Sequence, residues 1–409
     1  MALEERHESL RTTFTQHDGV GLQVVQPFEP KKVEIVDMAG ATSDALQQAL
    51  HREQTTPFNL ETEPGWRTSI LRLGEEDHVL SIVMHHIITD GWSIGIIQRE
   101  LAMFYSAACQ GIEPLSQVRP LPIQYRDFAV WQRQEAQKAE HQRQLEYWKR
   151  QLDGSQPAKL LYDKPRPTIL SGSARVHEFS IEGDLYQNLA SFCKQHQVTV
   201  FSVLFTVFRV THFRFTGAED ATIGIPIANR NRQELEDLVG FFVNLQCIRV
   251  IQVFATITAA SAHQDVPFER IVAELLPGGR DPSRNPLVHM TFGVHLQETM
   301  GHIQLETLDA QFLKAPETAR FDVEFHIFQA NNSMHGSIIY SDELFDAVSI
   351  QSMVAVFCQT LKSGLEEPSN PVSMIPLEGE LPQYADVPSF TNKLPILEMI
   401  LLCKTLLTN

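Results

Sequence analysis

Residues 84–93, MHHIITDGWS, join a strand-like segment to a helix-like segment, and this junction constrains the fold most. Before it, segments 66–73 and 78–85 alternate apolar and polar side chains, as strands with one buried face do. The intervening GEED suits a hairpin turn. After it, apolar side chains recur at helical spacing behind Ser93, a residue type that caps helices well. The sequence therefore predicts a hairpin whose second strand leads through a turn into a helix.

Later segments predict a second group of helices and strands. Residues 132–152 have the pattern of a solvated helix, and residues 163–173 are rich in proline, glycine and serine, as linkers are. Residues 198–215 predict a largely apolar helix. Residues 220–228 and 240–250 then predict buried strands, so helices and mostly antiparallel strands occur on both sides of the linker.

The length of 409 residues is too great for one small core, so the linker is expected to separate two lobes. We expect an α/β (α+β) fold with a cleft between two sandwiches of similar size. The expected N-terminal lobe covers 1–165 and the C-terminal lobe covers 166–384. Residues 385–409 are expected to form an atypical tail.

Composition excludes several classes of function. The formal charge of -17 disfavours binding to nucleic acid or to anionic membranes. The N-terminus lacks the apolar core of a signal peptide, and no apolar run reaches the ~20 residues of a membrane span. Five scattered cysteines without a CxxC pair suggest free thiols. These features favour a cytoplasmic, monomeric protein.

The adjacent histidines, His85 and His86, raise the question of a metal site. On a strand, neighbouring side chains point to opposite faces, so these two are poorly placed to bind one ion. No HExxH or Cys/His cluster supplies further ligands, and we expect no metal. A structural role, hydrogen-bonded to the backbone, suits one of the two histidines better than it suits both.

A catalytic interpretation gives each residue of the stretch a task. One imidazole would act as a base in a cleft, because its pKa lies near working pH. Asp90 would fix the turn through a buried arginine, since an unpaired buried carboxylate is costly. Gly91 would let the chain turn where a side chain would clash.

Several further stretches, together with HHIITDG, point to one family. They are RHESLRTTF (6–14), YRDFAVW (125–131), IGIPIANRNR with VGFFVNLQCIR (223–249), HQDVPFE (263–269) and RDPSRNPL (280–287). In order and wording they resemble motifs of the condensation domains of nonribosomal peptide synthetases, in the manner of fungal members. The resemblance extends over most of residues 5–380.

The resemblance implies a fold and a reaction. The fold is a pair of chloramphenicol-acetyltransferase-like lobes arranged as a V-shaped pseudo-dimer with the active site between them. The reaction is amide formation between an upstream acyl or peptidyl thioester and a downstream aminoacyl thioester. Both substrates arrive on the 4'-phosphopantetheine arms of peptidyl and acyl carrier domains, beside an adenylation domain. The domain itself would bind no cofactor.

The resemblance also assigns roles to residues. His86 would be catalytic, and His85 mainly structural. Asp90 would pair with an arginine, for which Arg11 and Arg249 are both candidates, and Gly91 would lie at the reacting carbonyl. The expected substrate cleft includes Trp92, Ser93 and Asn244, with Asn244 equally suited to the cleft wall and to substrate contact.

The sequence departs from the family pattern in two places. The motif at 6–14 stands almost at Met1, which suggests that the N-terminal lobe is truncated, and segment 249–263 is shorter than in the family. Two alternative functions therefore remain. The chain could be an impaired module that binds carriers without turnover, or a related acyltransferase that uses acyl-CoA-type thioesters.

Overall fold

The computed structural model describes residues 1–249, 259–276, 281, 283–296, 305, 308–313, 318–375 and 395–401. The chain forms two compact units. The first comprises Met1–Lys138, Ala228–Val243 and Glu298–Lys314, and the second comprises Ala139–Ile227, Asn244–Gln297 and Ala315–Asn409. These bounds differ from the expected division at residue 165, because residues from Ala139 onward group with the second unit. The lobe bounds themselves stay a prediction.

The first unit contains a hairpin and a three-stranded sheet. Its strands are β1 (Thr12–His17), β2 (Val20–Val25), β3 (Glu34–Asp37), β4 (Trp66–Arg72) and β5 (His78–Met84). Strand β1 pairs with β2, while β3 runs parallel and β5 antiparallel to β4. The hairpin predicted at 66–73 and 78–85 is confirmed.

The turn between β1 and β2 shows how the sequence selects a tight hairpin. Asp18 and Gly19 alone connect the paired residues His17 and Val20, and both have positive φ, 50° and 76°. A two-residue turn with two positive φ values matches the twist of the flanking strands, and Asp-Gly tolerates it best.

The first unit also contains α-helices, and two of them pack behind the motif. The helices are α1 (Ala2–Arg6), α2 (Ser43–Thr55), α3 (Gly91–Cys109) and α4 (Tyr125–Gln132). Apolar side chains of α1 and α3 share a buried cluster with Leu10, Ile88 and Val239. The cluster lies directly behind residues 86–88, so it supports the turn that carries the histidines.

The second unit is built on a six-stranded mixed sheet of order β6-β11-β10-β9-β7-β8. The strands are β6 (Ala174–Ile181), β7 (Thr222–Ile227), β8 (Asn244–Arg249), β9 (Met290–Leu296), β10 (Val323–Gln329) and β11 (Met334–Ser341). Strand β9 runs parallel to both β10 and β7, and the other pairs are antiparallel. The strand expected at 240–250 begins later, at Asn244.

Helices of the second unit supply most of the chain's core. They are α5 (Glu135–Leu152), α6 (Gly183–His196), α7 (Val200–Thr216), α8 (Phe268–Leu275), α9 (Ala347–Glu366) and α10 (Ile396–Leu401), with the first residues of α5 belonging to the first unit. The helices expected at 132–152 and 198–215 are confirmed, and nearly all of α7 is buried. The side chains of Ile396 and Met399 in α10 also lie in this core. The shortened segment after Arg249 falls largely on residues 250–258, outside the described residues.

Helix length and composition decide whether a segment could cross a membrane. Within the described ranges, no single helix is long and apolar enough to cross a membrane. Helices α6 and α7, which are bent by 113° relative to each other, are together long and apolar enough for a membrane span by length and composition alone. Helix α7, however, is buried within the core of the second unit.

A buried acidic group on β10 makes stability depend on pH. Burial raises the pKa of Glu324, but the His326 ring and the Arg320 guanidinium outweigh it and lower that pKa to about 2. Arg320 lies 2.6 Å and His326 3.6 Å from the carboxylate. A carboxyl group with a depressed folded-state pKa stabilises the fold above its unfolded pKa, and this stabilisation is lost as pH falls.

We therefore expect wild-type stability to fall between about pH 4.5 and about pH 2, the ordinary and folded pKa values of this group. Glu324→Gln should lower the free energy of unfolding at pH 7 by on the order of 2–3 kcal/mol. It should also flatten the pH dependence. Urea midpoints of both proteins at pH 7 and pH 3.5 provide the measurement. Equal slopes with pH in the two proteins would contradict the assignment.

Candidate active site

The two histidines lie at the end of β5 but not within it. The strand ends at Met84, and the His85 N–H donates to Gly65 O at 2.7 Å. Residues His86–Ile88 then form one turn of 3-10 helix, and both imidazoles are exposed. The argument that strand alternation separates the pair is wrong, because the strand has ended before the pair begins.

The two histidines differ instead in the hydrogen bonds that their Nδ1 atoms make. His85 Nδ1 accepts the N–H of Ile87 at 3.0 Å, so in the neutral ring the proton resides on Nε2. His86 Nδ1 lies 2.5 Å from Thr89 O, and a carbonyl oxygen can only accept. In the neutral ring, His86 therefore carries its proton on Nδ1 and leaves Nε2 unprotonated. Of the two, only His86 can offer Nε2 as a base.

Asp90 organises the turn that follows. It is 3% exposed and caps α3, with Oδ1 accepting the Ser93 N–H at 2.8 Å. Its Oδ2 accepts the N–H groups of Phe242 and Val243 at 2.9 and 3.2 Å. The architectural role expected for Asp90 fits these contacts, but the expected helix cap was wrong. Helix α3 begins at Gly91, capped by Asp90 rather than by Ser93.

The arginine that pairs with Asp90 is Arg230, at 3.2 Å, and both side chains are almost fully buried. The candidates Arg11 and Arg249 are wrong. Arg11 donates to the backbone at Glu4 and Gln26, and Arg249 forms its ion pair with Asp220 in the second unit. Their guanidinium groups thus have other partners.

The two terminal nitrogens of Arg230 are bound within the first unit, whereas its buried Nε has no hydrogen-bond partner among the described residues. Its Nη1 donates to the carbonyls of Leu235 and Leu238 at 2.5 and 2.7 Å. The guanidinium also lies 4.1 Å from the centre of the Phe242 ring. Burial lowers the pKa of Arg230, and the charge of Asp90 opposes that shift. The pair therefore ties residues 230–243 to the start of α3.

The expected cleft residues Trp92 and Ser93 differ in exposure. Ser93 is fully buried; its hydroxyl donates to Gly240 O at 2.9 Å and accepts from Arg230 Nη2 at 2.8 Å. It is structural, so its assignment to the substrate cleft is wrong. Trp92 is 40% exposed and donates its indole N–H to Glu236 O. Its exposed ring remains available for contact with a substrate.

Gly91 occupies open space. It is exposed, its φ is not positive, and a Cβ atom there would meet no atom within 4 Å. The expectation that a side chain would clash with the protein is therefore wrong. The N–H groups of Gly91 and Trp92 are the first two of α3, a position where N–H groups have no acceptor within the helix. They form its positive end.

Asn244 belongs to the second unit, where its amide is fully engaged. The NH2 group donates to the carbonyls of Gln264 and Val266. Its oxygen accepts the N–H groups of Leu245 and Phe268. Two donors and two lone pairs are thereby satisfied. Of the two roles considered, wall and substrate contact, these bonds favour the wall.

The described residues contain no group of three or more His, Cys, Asp or Glu side chains that could hold a metal ion. The chemistry that the arrangement offers is that of an imidazole base with Nε2 free of hydrogen bonds within the described residues. Helix α3 begins five residues after this base, at Gly91, and is capped by Asp90, a member of a buried ion pair.

Comparison with known proteins identifies the family. A family model described as Condensation domain matches residues 1–381. The chain belongs to the condensation-domain family. The predicted family and the predicted enzyme class, an acyltransferase, are therefore confirmed. The motifs quoted from the sequence lie within the matched range.

Similar condensation domains occur in much longer fungal synthetases. The chain is 54% identical over 390 residues to the cyclosporin synthetase of Tolypocladium inflatum, covering 92% of this chain and 2% of that protein. It is 53% identical over 394 residues to the nonribosomal peptide synthetase kk1B of Curvularia clavata, with 93% and 3% covered. It is 50% identical over 389 residues to the enniatin synthase of Fusarium equiseti, covering 92% of this chain and 12% of that protein. The chain spans a small fraction of these relatives.

Solved structures share the fold of this condensation domain. An X-domain in complex with OxyB from teicoplanin biosynthesis matches with a TM-score of 0.80 at 24% identity, covering 93% of this chain and 86% of that chain. The condensation domain from the monacolin K polyketide synthase matches with a TM-score of 0.71 at 17% identity, covering 90% and 88%. The predicted mixed α/β fold, of the chloramphenicol-acetyltransferase-like class, is confirmed.

Three residues that hold this condensation domain's motif in place were not assigned that role from the sequence. Arg230 lies within the quoted stretch IANRNR, so its motif was noted but its partner was not. Tyr125 lies within the quoted stretch YRDFAVW, and its hydroxyl donates to Phe241 O at 2.8 Å. The Phe241 ring in turn contacts His86, and no sequence pattern signalled that contact.

Proposed function

We propose that this condensation domain forms an amide bond between two carrier-bound substrates, with His86 as the catalytic base. The donor is an acyl or peptidyl thioester, and the acceptor is an aminoacyl thioester. The observation that carries the proposal is the 2.5 Å contact between His86 Nδ1 and Thr89 O. The His86 Nδ1–H is bound to Thr89 O, so the exposed ring offers Nε2 to a proton donor.

The proposed reaction balances without a bound cofactor. The acceptor nitrogen attacks the thioester carbonyl carbon, the C–N bond forms, and the C–S bond breaks. His86 Nε2 takes the proton that the nitrogen loses, and that proton passes to the departing thiolate. The N–H groups of Gly91 and Trp92 would bind the oxygen that becomes negative during attack, since preorganised donors stabilise such an oxyanion strongly.

The proposed partners follow from the length of the relatives. Because the chain covers at most an eighth of the named synthetases, we place carrier and adenylation domains in the same assembly. The substrates would ride on the phosphopantetheine arms of those carriers. The described cysteines Cys109, Cys193, Cys247 and Cys358 are free thiols, which suits a cytoplasmic setting and a monomeric domain.

Ester formation is a second candidate for the same site. A relative 50% identical over 389 residues is named a beauvericin nonribosomal cyclodepsipeptide synthetase, and a depsipeptide contains ester bonds. A hydroxyl acceptor needs a base to remove its proton during attack, as the amine does. His86 would serve either nucleophile, and the acceptor's chemistry would decide the product.

Reconstitution with loaded carriers tests the proposal. The chain is mixed with one acyl-loaded carrier protein and a second carrier loaded with either an aminoacyl or a hydroxyacyl group. Mass spectrometry of the second carrier should show the acyl group transferred to nitrogen or oxygen. A folded chain that binds both carriers without product would instead be an impaired module. Transfer only from free acyl-CoA would make it an acyltransferase of another branch.

The variant Gly91→Ala tests whether the open space beside the start of α3 is needed for activity, without a loss of stability. Because a Cβ atom at this position meets open space, the free energy of unfolding should stay unchanged or rise by up to about 1 kcal/mol. The rate of product formation should fall at least ~10-fold, since the methyl group would occupy the space beside the oxyanion donors. Gly21→Ala, also in open space but on β2, is the matched control and should keep the wild-type rate. Wild-type activity in Gly91→Ala would show that the N–H groups at the start of α3 do not bind the oxyanion.

A further inference from the structure

The side chain of Phe241 contacts the catalytic imidazole. The Phe241 and His86 rings lie with their centres 5.0 Å apart at an interplanar angle of 78°, an edge-to-face contact. His86 is otherwise exposed, and its imidazole makes a single hydrogen bond within the described residues, to Thr89 O. One hydrogen bond at Nδ1 fixes one point of the ring, and a second contact is needed to fix the direction of Nε2.

The backbone on both sides of Phe241 is bound to residues near the start of α3. Gly240 exchanges two hydrogen bonds with the Ser93 hydroxyl, at 2.9 and 3.1 Å. On the other side, the N–H groups of Phe242 and Val243 bind Asp90 Oδ2. The segment that carries Phe241 is therefore fixed to the same turn that carries His86, so the two rings keep their relative position.

Tyr125 also contacts the backbone of the segment that carries Phe241. Its ring lies so close to Gly240 that a Cβ atom there would be 2.2 Å from Tyr125 Cδ2. The Tyr125 hydroxyl donates to the carbonyl of Phe241 at 2.8 Å. Only glycine at position 240 allows the tyrosine to reach that carbonyl, and the carbonyl bond orients the Phe241 residue.

We infer that Phe241 is a positioning residue that holds the His86 imidazole in the orientation from which Nε2 accepts the proton. The inference rests on the proposed function of His86. Without the Phe241 ring, the imidazole can turn about its bond to Thr89 O, and a misplacement of the base by about 1 Å can cost ~100-fold in rate. The Phe241 ring itself takes no part in bond making or proton transfer.

Rates at saturating carrier concentration test the inference. Phe241→Ala should lower kcat by about 10- to 100-fold with KM for either carrier changed less than about 3-fold. Phe241→Tyr, which keeps the ring, should retain kcat within about 3-fold, and Phe241→Leu should lie between them. Phe28→Ala removes another half-buried phenylalanine of the first unit, one outside the cluster behind the histidine turn, and should leave kcat unchanged. A Phe241→Ala protein with wild-type kcat, or with only KM changed, would overturn the inference.

A double-mutant cycle shows whether Phe241 acts through His86. In a His86→Ala background, Phe241→Ala should have no further effect on the residual rate, because the imidazole that it orients is absent. Full additivity would overturn the inference while leaving the role of His86 intact. If His86→Ala itself had no effect, the proposed function would fail first.

Nitrogen-15 spectra of labelled histidine give a readout independent of turnover. The His86 signals are identified by their loss in His86→Ala. In the wild type they should report the Nδ1–H tautomer in a fixed ring. In Phe241→Ala the same tautomer should persist, because the bond to Thr89 O remains, but motion of the ring should broaden the signals. Identical His86 signals in the wild type and Phe241→Ala would contradict a positioning role.

Discussion

His86→Ala is expected to lower kcat for product formation by roughly 10²- to 10⁴-fold, the usual contribution of a positioned general base. The fold should survive, because the His86 imidazole is exposed and the substitution removes one hydrogen bond, worth about 1 kcal/mol. Single-turnover assays with loaded carriers measure the rate, and urea midpoints measure the stability.

His85→Ala is the matched control for this prediction, since it removes the same ring one residue earlier. His85 Nδ1 already accepts the Ile87 N–H, so the ring holds the turn and offers no free base at Nδ1. Its loss should cost about 1 kcal/mol of stability, as a helix cap does, and reduce the rate less than 10-fold. Equal loss of rate in both variants would show that the turn matters and that the assigned base does not.

The local parts of the fold were predictable from the sequence. The hairpin of β4 and β5 and the buried helix α7 follow from residue periodicity, which depends on neighbours in the chain. The need of Asp90 for an arginine also follows from local physics, because a carboxylate at a helix start is buried only with partners. His86 itself was identified from the motif.

The features that depend on long-range contacts, or on a choice between two equally suitable residues, were not predictable. Arg230 lies 140 residues from Asp90, and Arg11, Arg230 and Arg249 have the same side chain, so only tertiary packing selects between them. Asp90 and Ser93 are both good helix caps, and the burial of Ser93 against Gly240 decides the outcome. The opposite tautomers of the histidines depend on where β5 ends, and element boundaries are what periodicity defines least well.

Breaking the pair of Asp90 and Arg230 should strongly destabilise the first unit. Arg230→Ala leaves the Asp90 carboxylate buried without its counter-charge. Asp90→Ala likewise leaves the Arg230 guanidinium buried without a counter-charge. Removing one partner of a buried ion pair typically costs 3–5 kcal/mol. That is a large part of the 5–15 kcal/mol that stabilises an ordinary domain. Urea unfolding should therefore show a clearly lower midpoint in both variants.

The two single variants should differ in what remains bound. After Arg230→Ala, the Asp90 carboxylate still accepts three backbone N–H groups, from Ser93, Phe242 and Val243, so α3 keeps its cap. After Asp90→Ala, those N–H groups lose their acceptor as well, so this variant should be the less stable of the two and should lose more activity. Arg99→Ala, which breaks the exposed pair with Asp237, is the control and should cost less than about 1 kcal/mol. Midpoints of Asp90→Ala and Arg99→Ala that agree would mean that the buried pair contributes no more than a surface one.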